Sequence, residues 1–413
     1  MQRARMFRFV AGFVAMMAVL LVTGRWESVA AGGGTASGYR VLQPIQSGDL
    51  TLFPVVQDDG KTLPADPFLT LDEGLKSGEV EVTEAGKVQG LVRSRGGAAQ
   101  LRYQGDQVNT LVLVNNSKRP LLLLAGEIVT GGKQDRVIAK DRIVPAGADP
   151  IDLSVFCIEH GRWTESSAKF GTTAKAAGES FMVQPTVRQQ AMVAKDQQQV
   201  WDSVSGAISS MARAAAPPSP SANTPSARTG VIGGTGSTNL NESRGYSAST
   251  SLGTTSYAKA MQTQAVSAKV DQEAAGLVQS REQALATLRD EHAVGVVVAV
   301  RGEVIWADIF SDPGLLARYW TKLVRSYAAE ELTAGDGHRT ATIADAQRFL
   351  DTPMHGTEDS QGEVGIYRYR EVKSGGTDLF TLQALLPGTG YDVHISRLKL
   401  RGTDVSPQMR LVH

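Results

Sequence analysis

Between Tyr39 and Trp163, apolar and polar residues alternate in short runs broken by turn residues, the pattern of half-buried strands. Strands are predicted at Leu50–Val56, Val80–Glu84, Val108–Val114, Pro120–Leu124, Asp135–Ile138 and Ile151–Ile158. Leu71 and Leu75 stand four apart and Gly78 follows, so 69–77 reads as a short helix stopped by glycine. Asn115-Asn116-Ser117 predicts a hairpin turn, because asparagine tolerates positive φ. Pro145-Ala146-Gly147 predicts another turn. Many short strands with frequent turns predict an antiparallel β-sandwich or barrel-like domain over 39–165.

The period then changes. Within 166–216, Met192, Val193, Val200, Trp201, Val204, Ile208 and Met211 fall near one face of a helix predicted over 187–214. Residues 217–257 are rich in Pro, Ser, Gly, Thr and Asn and poor in aliphatics. Such a segment cannot bury enough surface to offset its chain entropy, so it is predicted to be a disordered, low-complexity insertion. Its Gly230, Gly233, Gly234 and Gly236 mimic a phosphate loop, but no strand precedes them and no helix follows. A second helix, 258–291, carries Val266, Val270, Leu277, Leu285 and Leu288 and is expected to pair with the first as an antiparallel hairpin. Residues 292–413 read as an α/β region. Strands are expected at 293–300 and 304–310, joined at Arg301-Gly302-Glu303. Asp312 caps the next helix, Pro313 fits its first turn, and Leu316, Trp320, Leu323, Val324 and Tyr327 form its packing face. A helix at 341–350 and strands at 364–372, 379–385 and 393–400 complete an α+β class.

At 413 residues the chain has room for two or three domains. Its net charge of +0 gives no general attraction to nucleic acid or acidic membranes. Arg3, Arg5 and Arg8, the apolar stretch Phe9–Val22 and the small residues Ser28-Val29-Ala30 predict a signal peptide over 1–30 and a periplasmic or extracellular protein. The apolar stretch is shorter than the ~20 residues that span a bilayer, and no later segment is long and apolar enough, so no membrane span is expected after the signal is removed. Residues 31–38, AGGGTASG, read as a flexible start. Cys157 is the only cysteine, so no internal disulfide forms, and its shared parity with Ile151, Leu153 and Val155 points it inward.

The candidate chemistry lies in 120–163, where polar groups that are costly to bury punctuate Leu and Val runs. The candidate ligand-binding set is Glu127, Lys133, Gln134, Asp135, Arg136, Glu159, Arg162 and Trp163. Glu127 suits a general base, a metal ligand or a hydrogen-bond acceptor. It equally suits an ion pair with Lys133 or Arg136 across a hairpin. Arg136 has the planar fork that clamps a phosphate or carboxylate; the other reading of 133–136 is a solvated turn with an internal ion pair. Glu159 shares the parity of Cys157, and Arg162 can stack on Trp163; an ion pair of Glu159 with Arg136 or Arg162 is the alternative. The six histidines form no close pair at ligand spacing, so no zinc site is expected. There is no G-x-S-x-G elbow and no phosphate-loop motif, and no cofactor can be named.

LLLLAGEIVTGGKQDRVI, DRIVPAG and VFCIEHGRW, with AVGVVVAVRGEVIWADIFSDPGLLARYWTKLVRSYAAEEL and VHISRLKL further on, resemble the core of a little-characterised family. That family is named for association with ADP-ribosylglycohydrolases and rhodanese-phosphatase proteins. The resemblance spans 41–400, interrupted by the insertion. It implies a setting in ADP-ribose or NAD-derived metabolism and no particular activity. By the family's pattern Gly126, Glu127, Lys133, Gln134, Arg136, Cys157, Glu159, Gly161, Arg162 and Trp163 are the matching positions. The signal peptide and the insertion depart from that pattern. The leading reading is a non-enzymatic binding or accessory domain for a small anionic ligand or a protein partner. The others are a hydrolase-like enzyme on an ADP-ribosyl or phosphorylated compound using Glu127 or Glu159, and an envelope scaffold.

Overall fold

A computed structural model describes residues 37–58, 67–85, 110–162, 164–171, 181–216, 252–278, 288, 290–335 and 339–400. The predicted signal peptide, all but the end of the flexible start, nearly all of the low-complexity insertion, and Trp163 and Leu285 lie outside the described residues.

The chain opens with β1 (Tyr39–Val41), β2 (Ile45–Ser47) and β3 (Leu50–Gln57). β4 (Leu69–Thr70) runs straight into α1 (Leu71–Ser77). Thr70 and Glu73 form a capping box at its start, and Gly78, at φ 72, ends it in the left-handed conformation glycine adopts without strain. β5 (Val80–Glu84), β6 (Thr110–Asn115), β7 (Leu121–Leu123), β8 (Ile128–Val129), β9 (Arg136–Ile138), β10 (Arg142–Val144), β11 (Ile151–Cys157) and β12 (Lys169–Phe170) follow. All the predicted strands of this region are present. The unpredicted ones have only two or three residues, too short for a period to show.

The expected hairpin at Asn115–Ser117 does not form, because β6 and β7 belong to different sheets. Asn115 is there for its side chain. Its amide donates to the carbonyls of Arg119 and Pro145, both at 3.0 Å, and its oxygen accepts from Ser117 N–H at 3.1 Å. The helix predicted over 187–214 is broken. α2 (Pro185–Gln189) passes into a π-helical turn (Gln190–Ala194), Lys195 turns left-handed at φ 53, and α3 (Gln197–Ala215) starts from its cap Asp196. Buried Met192, Val200, Val204, Ile208 and Met211 continue across the break, so the apolar period could not reveal it. The second helix is also divided, into α4 (Tyr257–Gln262) and α5 (Gln264–Val278). β13 (Gly295–Val300), β14 (Glu303–Phe310), α6 (Pro313–Thr333), α7 (Ile343–Asp351), β15 (Thr357–Glu363), β16 (Tyr367–Ser374), β17 (Thr377–Ala384) and β18 (Asp392–Lys399) complete the chain. β15 was invisible in the pattern because TEDSQGE is polar on both faces, as suits its exposed place at a sheet edge.

The protein is α+β, built on antiparallel sheets. A nine-stranded sheet runs β1-β3-β13-β14-β18-β17-β16-β15, with β2 added beside β3. Every pairing in it is antiparallel, so the C-terminal region is not the α/β arrangement expected. β1–β3 leave the other early strands and pair with late ones through β13, matching Val55 to Gly295 and Leu50 to Val300. The six-stranded sheet β12-β5-β6-β11-β9-β8 and the three-stranded sheet β10-β7-β4 hold the remaining early strands.

β13, GVVVAV, is buried on both faces, which is why it reads as a continuous apolar run rather than an alternation. Val296 and Val298 join the main core with the apolar faces of α3, α5 and α6. Val297 and Ala299 face the opposite side, with Ala346 and Leu350 of α7. No helix among the described residues is long and apolar enough to cross a membrane.

Candidate functional site

Most of the candidate polar residues of 120–163 are buried, and they feed three charge clusters, two of which meet at the turn after β7. Leu124 N–H donates to Glu127 Oε2 at 2.7 Å, and Ala125 N–H donates to Asp141 Oδ1 at 2.7 Å. Between them Gly126 takes φ 93, and a Cβ there would sit 2.9 Å from Arg188 Cδ. Only glycine fits both the conformation and the space. The four residues 124–127 therefore touch both the cluster of Glu127 and the cluster of Asp141 and Arg188.

The first cluster corrects the expected partner of Glu127. It pairs not with Lys133 or Arg136 but with Lys322 of α6, Nζ to Oε1 at 2.6 Å, and Lys322 also reaches Asp72 of α1 at 2.6 Å. Lys322 and Glu127 are 4% and 1% exposed, so neither charge is screened by water. Burial pushes the lysine's pKa down, but Glu127 and Asp72 outweigh it and raise it to about 12. Burial, with the second carboxylate Asp72, lifts the pKa of Glu127 above the ordinary range. One ammonium thus holds two carboxylates and ties α1 and the 124–127 turn to α6.

The second cluster gathers most of the predicted set. The loop from β8 to β9 carries Gly131 and Gly132, both with positive φ. Arg162 donates from Nη1 to the Gly132 carbonyl at 2.8 Å and to the Thr164 carbonyl at 2.9 Å. Its Nε lies 2.7 Å from Glu159 Oε2, and its Nη2 is 3.5 Å from Asp135 Oδ1. Lys259 of α4 takes the other Glu159 oxygen at 3.0 Å. Burial raises the pKa of Glu159, but the bonds from Arg162 and Lys259 more than offset this and hold it below the usual carboxylate value. Asp135 accepts from Ser256 Oγ at 2.7 Å, and burial raises its pKa. Glu84 of β5 accepts from Lys133 N–H at 2.9 Å.

Arg136 is fully buried opposite Cys157 in the ladder, and its Nη1 donates to the Gln134 carbonyl at 2.6 Å. Burial lowers its pKa against the pull of its neighbours. Residues 133–136 are therefore not a solvated turn. Gln134 is 1% exposed, and neither its amide nitrogen nor its oxygen has a hydrogen-bond partner among the described residues. Cys157 is 3% exposed, and burial raises its thiol pKa.

The third cluster was missed. Arg188, Asp308, His394 and Asp141 are each 0 or 1% exposed. His394 Nδ1 lies 2.6 Å from Asp141 Oδ2, and its Nε2 lies 3.2 Å from Asp308 Oδ1, a charge contact outside hydrogen-bond geometry. Asp308 also receives Arg188 Nη1 at 2.9 Å, Ser396 Oγ at 2.7 Å, and the Tyr327 hydroxyl. Burial pushes the His394 pKa down, but the two aspartates outweigh it and raise it to about 9. Burial likewise opposes ionisation of Asp308, while Arg188 and His394 hold its pKa far below the ordinary value. Two cations and two anions thus make a neutral set. Asp308, a charge inside the apolar run VIWADIF, carried the same signal that drew attention to Glu127.

The structure brings Lys133, Gln134, Asp135, Arg136, Glu159 and Arg162 together, places Glu127 in a different cluster, and leaves Trp163 outside the described residues. It adds Glu84, Ser256 and Lys259, Ser256 from the last residues of the predicted insertion and Lys259 from just beyond it. Among the described residues no group of three or more His, Cys, Asp or Glu is placed to hold a metal ion.

Fold and site together define an α+β domain of antiparallel sheets whose signature residues form buried charge networks. The model of a family described as ARG and Rhodanese-Phosphatase-superfamily-associated Protein domain matches residues 38–398, and the chain belongs to that family. No curated protein and no solved structure matches it.

Proposed function

We propose that the chain is an exported, non-catalytic binding domain for a small anionic ligand bearing an adenine-like or amide edge, of the ADP-ribose or NAD kind. Gln134 carries this reading. A carboxamide presents a donor and an acceptor in one plane, matching the N6 and N7 edge of adenine or a second amide. Buried with neither satisfied, it is destabilising by about 1–3 kcal/mol, which a ligand edge would reverse. Arg162, partly buried, and Lys259, half exposed, flank the same loop and supply positive charge for an anionic group.

Catalysis at the two glutamates is disfavoured. Glu159 is held ionised by two cations, which unfits it as an acid, and Glu127 is enclosed in its pair with Lys322. Export rests on the sequence of 1–30.

The test is a thermal-shift titration of the full chain with ADP-ribose, NAD, AMP and inorganic phosphate, beside Gln134→Met. The variant keeps the side chain's bulk and removes an unsatisfied amide, so its unliganded melting temperature stays level or rises. A dose-dependent rise with ADP-ribose or NAD in the parent, lost in the variant, is expected. No rise with any compound, or an equal rise in both proteins, overturns the reading.

A further inference from the structure

A cavity of about 340 Å³ lies on the face of the nine-stranded sheet turned away from the main core, beneath the end of α7. This is within the range of small-molecule sites, roughly 300–1,000 Å³. Its floor is a cross-strand row: Ile309 of β14 opposes Ile395 of β18, which opposes Thr381 of β17, which opposes Arg370 of β16. Ala307 and Leu379 flank the row, both opposite Arg397. Leu350 and Met354 form the wall.

Four charged side chains line this cavity, and two are already engaged. Asp351 accepts from Ser37 N–H at 3.0 Å and from Gln347 Nε2 at 3.0 Å. Arg397 donates from Nη1 to the Leu350 carbonyl at 2.8 Å and from Nη2 to the Thr352 carbonyl at 2.7 Å, and packs on the Phe349 ring. These bonds hold the end of α7 over the sheet. The other two, Arg370 and Asp392, make no side-chain hydrogen bond or ion pair among the described residues, although both are partly buried and each feels the other's charge. They face one apolar space from β16 and β18, too far apart to pair directly.

We propose that this cavity binds a zwitterionic apolar α-amino acid, its carboxylate on Arg370, its ammonium on Asp392 and its side chain on the Ile309–Ile395 floor. A dipolar ligand satisfies both charges at once and leaves the site neutral, which a simple acid or a simple amine does not. An apolar body fits the aliphatic floor, and a charged one would be desolvated there without a partner. Binding buries two ligand charges against two protein charges already partly removed from water, where such contacts gain strength.

The site is separate from Gln134, so the two proposals fail independently. Isothermal titration of the full chain with L-leucine, L-methionine and L-phenylalanine tests it, with 4-methylpentanoate, isopentylamine and L-glutamate as comparators. The apolar amino acids are expected to bind, and Arg370→Gln and Asp392→Asn each to weaken them at least tenfold. Both side chains are unpaired, so neither variant should alter the circular dichroism spectrum, and Gln134→Met should bind as the parent does. No heat from any apolar amino acid at millimolar concentration overturns the proposal. So does binding unchanged in both variants, or equal binding of 4-methylpentanoate or isopentylamine, which would make the second charge irrelevant.

Discussion

His394 makes the stability of this protein depend on pH in a window where few groups titrate. Its imidazole lies between Asp141 and Asp308 with no exposed surface, and its pKa rises from 6.5 to about 9. A group that holds its proton more tightly when folded stabilises the fold fully below its unfolded pKa. That contribution is lost as pH climbs through the folded value. The window is therefore about pH 6.5 to 9, and a rise of roughly 2.5 pKa units is about 3 kcal/mol at ~1.4 kcal/mol per unit. No allowance for solvent screening is needed, because the group is fully buried. Glu331, which burial and then Glu273 raise to about 7, also loses its contribution with rising pH, but mostly below pH 7. Urea unfolding followed by fluorescence at half-unit steps from pH 7 to 9.5 should show a fall of about 2.5 kcal/mol, because part of the contribution is already lost by pH 7. In His394→Gln that fall should vanish, on a baseline lowered by about 3–5 kcal/mol because Asp141 and Asp308 lose a buried cation. If the variant does not fold, the parent alone decides: constant stability across the window refutes the reasoning.

Two further outcomes follow from the other clusters. Lys322→Met leaves Glu127 and Asp72 with no counter-charge and should destabilise by about 3–5 kcal/mol. Adding Glu127→Gln should recover part of the loss, and a melting temperature unchanged in Lys322→Met would show that the pair does not hold α6 to the 124–127 turn. Cys157, buried with a raised thiol pKa, should resist Ellman's reagent in the native protein and react fully in urea; labelling of the native protein at the rate of a free thiol contradicts its placement.

The sequence by itself determined the local structure and where the unusual burial lies. Period-two runs located β3, β5, β6 and β11. Caps located the helix ends at Gly78 and Asp312, because those signals act over three or four residues. The polar interruptions at 126–127, 133–136 and 159–162 marked where charge enters the core, since a charge beside an apolar run must find a partner. Which partner was decided only by the tertiary structure. Lys322 lies 195 positions from Glu127, Lys259 lies 100 from Glu159 across the insertion, and His394 lies 253 from Asp141. No local pattern encodes such a pairing. The exchange of β1–β3 into the late sheet was hidden for the same reason: antiparallel pairing needs only an apolar strand of matching length, and several strands offered one. The choice among them came from packing both faces of β13, which the chain settles only as a whole.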